Sequence, residues 1–272
     1  MPRVSRIFVY PIKSCRGIEV SSAELTWRGL DRDRRYMLVD SAGRFLSQRR
    51  HPRMALIETA MTDEGLRVTA PGREPLLLPA TLEGPTLENC VVRIWSDTVE
   101  ATLAAAGVNI WFSEFMGFAC GLVYLADHQH RSVQHEAAQF DDEVGFADSA
   151  PLLLISDASL DELNRRLDAP VGIERFRPNL VVTADTPHAE DDWRSIGIGA
   201  ARLDVAWPCS RCVLTTVDPR TGEKHPNGEP LRTLERYRRR DAKVYYGQNL
   251  IPRALGIVRT GDECTIDEII GP

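Results

Sequence analysis

The sequence predicts a mainly β fold, a barrel or sandwich with a few peripheral helices. Two observations carry that reading. Short β-rich runs separated by turn signals fill the first 100 residues, and helical periodicity is confined to three brief segments. A third observation concerns where chemistry would sit: several polar residues stand at the mouths of apolar strands, where barrels and sandwiches build binding sites.

The elements follow in order. Val4 to Tyr10 is a strand ended by Pro11. Arg35 to Asp40 and Arg44 to Gln48 flank Ser41-Ala42-Gly43, and Met54 to Met61 and Leu66 to Ala70 flank Asp63-Glu64-Gly65; each pair reads as a hairpin. Leu76 to Pro79 and Val91 to Trp95 continue the pattern. Val108, Trp111, Phe112, Phe115 and Met116 recur at helical spacing. Ser159 to Glu162 has the form of a capping box, with Leu160, Leu163 and Leu167 on one face of the helix it would start. Leu231, Leu234 and Tyr237 mark a third helix, whose exposed side is expected to carry Arg236, Arg238, Arg239 and Arg240. Closing strands are expected at Ala201 to Ala206, at Val213 to Val217 and near Ile257. Asp127 to Gly145, with His128, His130 and His135, has no periodicity and reads as a long loop.

Composition narrows the function classes. A chain of 272 residues suggests one large domain or two that share an interface. A net charge of -6 argues against a general nucleic-acid surface, while local basic clusters can still hold a small anion. No run approaches a membrane span, and the N-terminal residues lack the apolar stretch of a signal peptide. The six cysteines do not form the dense pattern of a secreted disulfide scaffold. These features lead to the expectation of a reduced, cytoplasmic, soluble protein without a membrane partner.

Chemistry concentrates at Pro208-Cys209-Ser210-Arg211-Cys212. A structural zinc site needs four ligands, and no second C-x-x-C pair exists. A thioredoxin-like pair would open a helix, whereas the following residues read as strand. Two inert buried cysteines remain one reading. Arg211 supports another, because an arginine beside a thiol favours the metal-binding thiolate, a soft ligand suited to a metal already held by sulfur. Lys13-Ser14 at a strand end can bind an anion or form a solvated turn. Arg35 leads directly into an apolar strand and is expected to point inward. Asp148-Ser149 and Arg177-Pro178-Asn179 each precede an apolar run. No G-x-G-x-x-G supports a nucleotide cofactor.

Six stretches together resemble the MOSC superfamily, in particular amidoxime-reducing components and their bacterial relatives. They are YPIKSCRG at Tyr10 to Gly17, DRRYMLVD at Asp33 to Asp40, ADSAPLLLIS at Ala147 to Ser156, FRPNLVV at Phe176 to Val182, AEDDW at Ala189 to Trp193, and CSRCVLTTVDPRTG at Cys209 to Gly222. They occur in the family's order and span nearly the whole chain. The resemblance implies a MOSC N-terminal β-barrel domain over residues 1–120, a MOSC domain over 121–272, and a molybdopterin cofactor between them. It further implies that Cys212, not Cys209, ligates molybdenum. The cofactor would be held by Lys13, Ser14, Arg35, Asp148, Ser149, Arg177, Asn179, Ser210 and Arg211. Ala150 departs from a serine common in mitochondrial members, which removes one expected polar contact.

The implied reaction is reduction of an N–O bond in an N-hydroxylated small molecule, such as an amidoxime or hydroxylamine, with Asp148 as the residue that orients or relays protons. The resemblance includes no iron–sulfur domain in this sequence, so electrons are expected from a separate reductase or ferredoxin-type protein, for which the four arginines at 236 to 240 are a candidate docking face. The alternatives are a sulfur carrier and a cofactor carrier without turnover.

Overall fold

The computed structural model describes residues 1–82, 84 and 87–269. The protein is mainly β, as its sequence pattern predicts, with helices at Ala106–Met116, Asp157–Asn164 and Leu231–Arg238. A nine-stranded sheet forms the larger layer. Along it lie Cys264–Ile269, Trp193–Ile198, Ala201–Arg211, Lys243–Ala254, Leu152–Ser156, Leu180–Val182, Val4–Val9 and Ile18–Val20, with Arg239–Arg240 added beside Lys243–Ala254. A four-stranded sheet orders Tyr36–Asp40, Cys120–Tyr124, Asp97–Leu103 and Asn89–Ile94.

Strand pairing crosses residue 120. The first strand pairs antiparallel with Leu180–Val182, Ser22–Thr26 pairs with Ile257–Arg259, and Cys120–Tyr124 pairs with Tyr36–Asp40. The N-terminal strand is thereby built into the same sheet whose strand Ala201–Arg211 carries Cys209 and leads to Cys212. Each layer has its own apolar core, one around Ile12, Leu38, Phe112 and Leu122, another around Ile7, Leu154, Ile196 and Leu250. Among the described residues, no helix is long and apolar enough to cross a membrane.

Several local expectations shift. The hairpin Glu58–Thr62 with Gly65–Thr69 forms, its first strand starting after a 3-10 turn at Pro52–Leu56 rather than at Met54, whereas residues from Arg44 onward keep the turn but make isolated bridges in place of a strand, Val39 with Phe45 and Arg44 with Arg93. Val213 to Val217 is not a strand. The strand before it runs on to Arg211, and Val213–Thr216 then closes a short 3-10 turn. The hydroxyls explain this: Thr215 Oγ1 donates to the Cys212 carbonyl (3.0 Å) and Thr216 Oγ1 to that of Val213 (2.7 Å), so the backbone is satisfied locally rather than by a neighbouring strand. The second helix starts three residues early. Ser156 is its cap, accepting from the Ser159 amide at 3.2 Å, and Ser159 lies inside.

The arginines at 236 to 240 do not share a helix face. Arg238 is buried, donating to the Tyr245 carbonyl (3.0 Å) and Asp191 (2.6 Å). Arg239 and Arg240 belong to a strand that pairs with Val244 and Lys243 through a tight turn at Asp241 and Ala242, both with positive φ. The expected docking face therefore does not exist in that form.

Candidate functional site

A cleft of about 720 Å³ opens between the N-terminal turns and the large sheet. That size suits a small-molecule or cofactor site. Lys13, Ser14, Asp148, Ser149, Arg177, Asn179, Ser210, Arg211 and Cys212 all line it. Nine of the ten sequence-predicted residues thus converge; Arg35 does not. Its guanidinium turns to the Leu125 carbonyl (2.8 Å from Nε) and Asp127 (2.7 Å). Arg34 takes the place on the cleft instead. Arg34 has φ +47, in the left-handed region, just before the strand begins.

Lys13 follows Pro11 and Ile12 at the end of the first strand and is buried to 5% exposure. Its Nζ donates to the Phe146 carbonyl (2.7 Å) and to the Asp148 carboxylate. Burial pushes the ammonium down to about 8, against the upward pull of Asp148. Desolvation works upward on the half-exposed Asp148 carboxyl. Lys13, with help from Arg49 and the Trp95 indole N–H (3.3 Å), outweighs it and holds the group well below the usual carboxylate range. The pair is therefore an ammonium–carboxylate unit at neutral pH, able to orient a polar group or pass a proton.

Deeper in the cleft, Arg34 and Arg177 each place a guanidinium 4.2 Å from the centre of the Tyr10 ring. Arg34 is paired with buried Asp33 (2.5 Å) and with Asn179 Oδ1 (2.9 Å). Arg177 donates to the Cys15 carbonyl at 2.6 Å. Burial and its neighbour Arg34 bring Arg177 down to about 10. Asn179 is a clamp: its Oδ1 also accepts from the Leu153 amide (3.2 Å) and its Nδ2 donates to the Phe8 carbonyl (3.1 Å). It holds the strand ends and Arg34 in place.

The two motif cysteines have different neighbours. Cys209 packs against the core around Phe176 and Tyr246, and Arg211 Nη1 donates to its sulfur at 3.0 Å. Residues two apart on a strand share a face, so Arg211 serves Cys209 rather than Cys212. Cys212 lies at the strand end on the cleft, and the nearest cation is Arg49, whose Nη1 is 3.8 Å from its sulfur. Arg49 is itself laid over the Trp95 ring at 4.2 Å. The run Gln48-Arg49-Arg50-His51 carries no sequence signal for this role beyond its charge. On the far rim, His135 from the long loop stacks on Trp207 with ring centres 3.8 Å apart and planes 9° from parallel.

Three features set this cleft apart. It carries seven basic side chains (Lys13, Arg34, Arg49, Arg177, Arg211, Arg240, Lys243) against three acidic ones (Glu136, Asp148, Asp241), in a chain whose net charge is -6. Arg177 Nη2 and Arg211 Nε are buried without a protein partner among the described residues. And of the eight described non-glycine residues with positive φ, five line it: Ser14, Arg34, Trp95, Arg177 and Asp241. Backbone strain of this kind persists where surrounding structure enforces it, and it clusters at functional sites. The donor set fits an anionic, polar cofactor. Among the described residues no group of three or more His, Cys, Asp or Glu side chains could hold a metal ion, so a metal at Cys212 would have to bring its other ligands with it.

Residues 1–119 match the MOSC N-terminal beta barrel domain and residues 141–265 the MOSC domain. The chain is 35% identical over 277 residues to mitochondrial amidoxime-reducing component 1 of Mus musculus, covering 95% of this chain and 80% of that protein. The Homo sapiens counterpart is 34% identical over 278 residues, with 95% and 81% covered. Molybdenum cofactor sulfurase of Oryza sativa subsp. japonica is 33% identical over 258 residues, 89% of this chain but 31% of the longer protein. With matched domains in both halves and relatives of this identity along nearly its full length, the chain belongs to the MOSC family, in the group that joins a MOSC N-terminal barrel domain to a MOSC domain.

Proposed function

We propose that this protein is a molybdenum-cofactor oxidoreductase that reduces N-hydroxylated compounds, amidoximes and hydroxylamines among them, with electrons from a separate donor protein. The observation that carries the proposal is the juxtaposition of Cys212 with a strained, strongly cationic cleft. The names of the relatives, amidoxime-reducing components and a molybdenum cofactor sulfurase, support the same direction.

The net reaction converts N–OH to N–H and water, and consumes two electrons and two protons. When bound, the cofactor supplies the two-electron chemistry. The chain's own residues do the rest. Arg34 and Arg177 receive anionic and polar parts through their fork-shaped donors, and Lys13 adds a buried positive charge. Ser14, Ser149 and Ser210 offer hydroxyls along the cleft wall, and Arg211 a further guanidinium. Asn179 fixes Arg34. Cys212 presents a soft sulfur ligand, with Arg49 Nη1 3.8 Å from its sulfur. Asp148, held ionised by Lys13, orients the substrate at its carboxylate oxygens, and the Lys13 ammonium, brought down to about 8, is placed to give up a proton.

The test is expression in a host that makes molybdopterin, followed by metal analysis and assay of an amidoxime with reduced viologen. Molybdenum near one per chain together with turnover is expected. Molybdenum without turnover would favour cofactor carriage, and labile sulfur without molybdenum would favour sulfur transfer.

A further inference from the structure

Behind the wall of the cleft lies a second, far smaller cavity of about 30 Å³, lined by Phe8, Tyr10, Gln48, Arg177, Leu214 and Val217 among others. Three buried polar atoms without a protein partner among the described residues belong to residues that line it: Tyr10 Oη, Gln48 Oε1 and Arg177 Nη2. Tyr10 and Gln48 are only 1% and 3% exposed. Leaving three such groups unsatisfied would cost about 1–3 kcal/mol each.

We infer that this cavity is a built water site, and that its water ties Arg177 to Gln48 and Tyr10, making those two residues positioning groups for the cleft. The chemistry of the three atoms selects the occupant. A guanidinium N–H and a phenol O–H need acceptors, while the amide oxygen needs a donor. A chloride ion would satisfy the first two and repel the third; a metal cation would do the reverse. Water gives and accepts at once. The volume suits one or two molecules, since each needs roughly 10–15 Å³ measured this way and two to four polar partners.

The site has a structural reason to exist. Arg177 is held at φ +57, and its other anchors are the Cys15 carbonyl at 2.6 Å and the face of Tyr10. Neither fixes the second terminal nitrogen. Gly17 also borders the cavity, and a Cβ there would come within 2.3 Å of the Tyr10 ring. The glycine thus lets the phenol reach its place. Arg16 and Arg175 line the same cavity, but their guanidiniums are engaged elsewhere, by Glu58 and the Pro219 carbonyl and by Thr216 and Asp218 respectively. The inference stands apart from the cofactor reading, because it concerns only how the chain holds one arginine.

The test uses the full chain without added ligand. A high-resolution crystal structure should show one or two waters within hydrogen-bond distance of all three atoms. A dry cavity, density of an ion, or direct pairing of Gln48 with Tyr10 would overturn the inference. In solution, the guanidinium nitrogen signals of Arg177 report whether its second nitrogen is held. Gln48→Met, close in size but without the acceptor, should speed guanidinium rotation about tenfold, the scale of one hydrogen bond to a charged group. Tyr10→Phe, which keeps the ring, provides the same reading should Gln48→Met fail to fold. Unchanged Arg177 rotation in a folded variant would refute the positioning role even with water present.

Discussion

Two buried charged sites in this protein are built to opposite plans. Glu190, fully buried, accepts from the Ser156 amide (3.1 Å), the Ser156 hydroxyl (2.7 Å) and the Ser159 hydroxyl (2.8 Å). Its carboxylate is enclosed by partners from the start of one helix, and it locks that helix to the 3-10 turn Ala189–Asp192. Arg34 and Arg177 stand side by side on the cleft with one buried carboxylate, Asp33. A charge whose hydrogen-bonding capacity is met inside the protein builds the fold. A pair of like charges that shares one counter-charge is costly to the fold and invites an anion from outside.

The largest effect should come from Cys212, the proposed metal ligand. Cys212→Ser is expected to abolish amidoxime reduction, a loss above roughly 100-fold, while Cys209→Ser, in the core beside Arg211, keeps most of it. Equal loss in both would mean that the two sulfurs are not divided as their neighbours indicate. Next, Arg177→Ala should cut the molybdopterin content of purified protein about tenfold or more, the scale of one lost charged hydrogen bond, with little change in unfolding midpoint. Glu190→Ala should do the reverse, costing about 3 kcal/mol in denaturant unfolding by stranding two serine hydroxyls, with cofactor content per folded chain unchanged. Cofactor loss in the Glu190 variant, or large destabilisation in the Arg177 variant, would dissolve the contrast.

A smaller effect is pH-dependent. Lys13 titrates near 8 in the folded chain, below its ordinary 10.5. Between those values the unfolded chain binds more protons, so stability should rise with pH across this window relative to Lys13→Met. Affinity of the cleft for an anion should fall over the same range, and the variant should show neither trend. The smallest effect is expected at Arg35→Ala, because that side chain serves Leu125 and Asp127. Cofactor content there should stay near wild type, against a marked drop in Arg34→Ala.

That last pair shows where sequence reading stopped. Alternating patterns and turn residues disclose most strands because burial imposes them locally, and the motif segments pick out nine residues that the fold then gathers from distant positions. Arg34 lines the cleft and Arg35 does not, which no composition reveals. Arg49 reaches Cys212 across 163 positions of sequence, and nothing near it signals a sulfur. The 3-10 turn after Cys212 was hidden by its β-branched residues, whose strand preference yields to hydroxyls that bond the local carbonyls. Of the three residues around the small cavity, Tyr10 and Arg177 lie in motif stretches and Gln48 carries no sequence signal; only packing makes them neighbours.

The stack of His135 on Trp207 gives the protein an optical gauge at the rim of its cleft. An imidazolium pressed against an indole quenches its fluorescence, whereas a neutral imidazole does so far less. Burial, opposed by Glu136, lowers the tendency of His135 to take up a proton, so Trp207 should stay bright through neutral pH and dim only in more acidic solution. Because His135 rides on the long loop and Trp207 on the cysteine strand, a molecule entering between the two walls would part the rings and remove the acid dimming. Emission at two pH values would then read occupancy of the cleft without any assay of turnover.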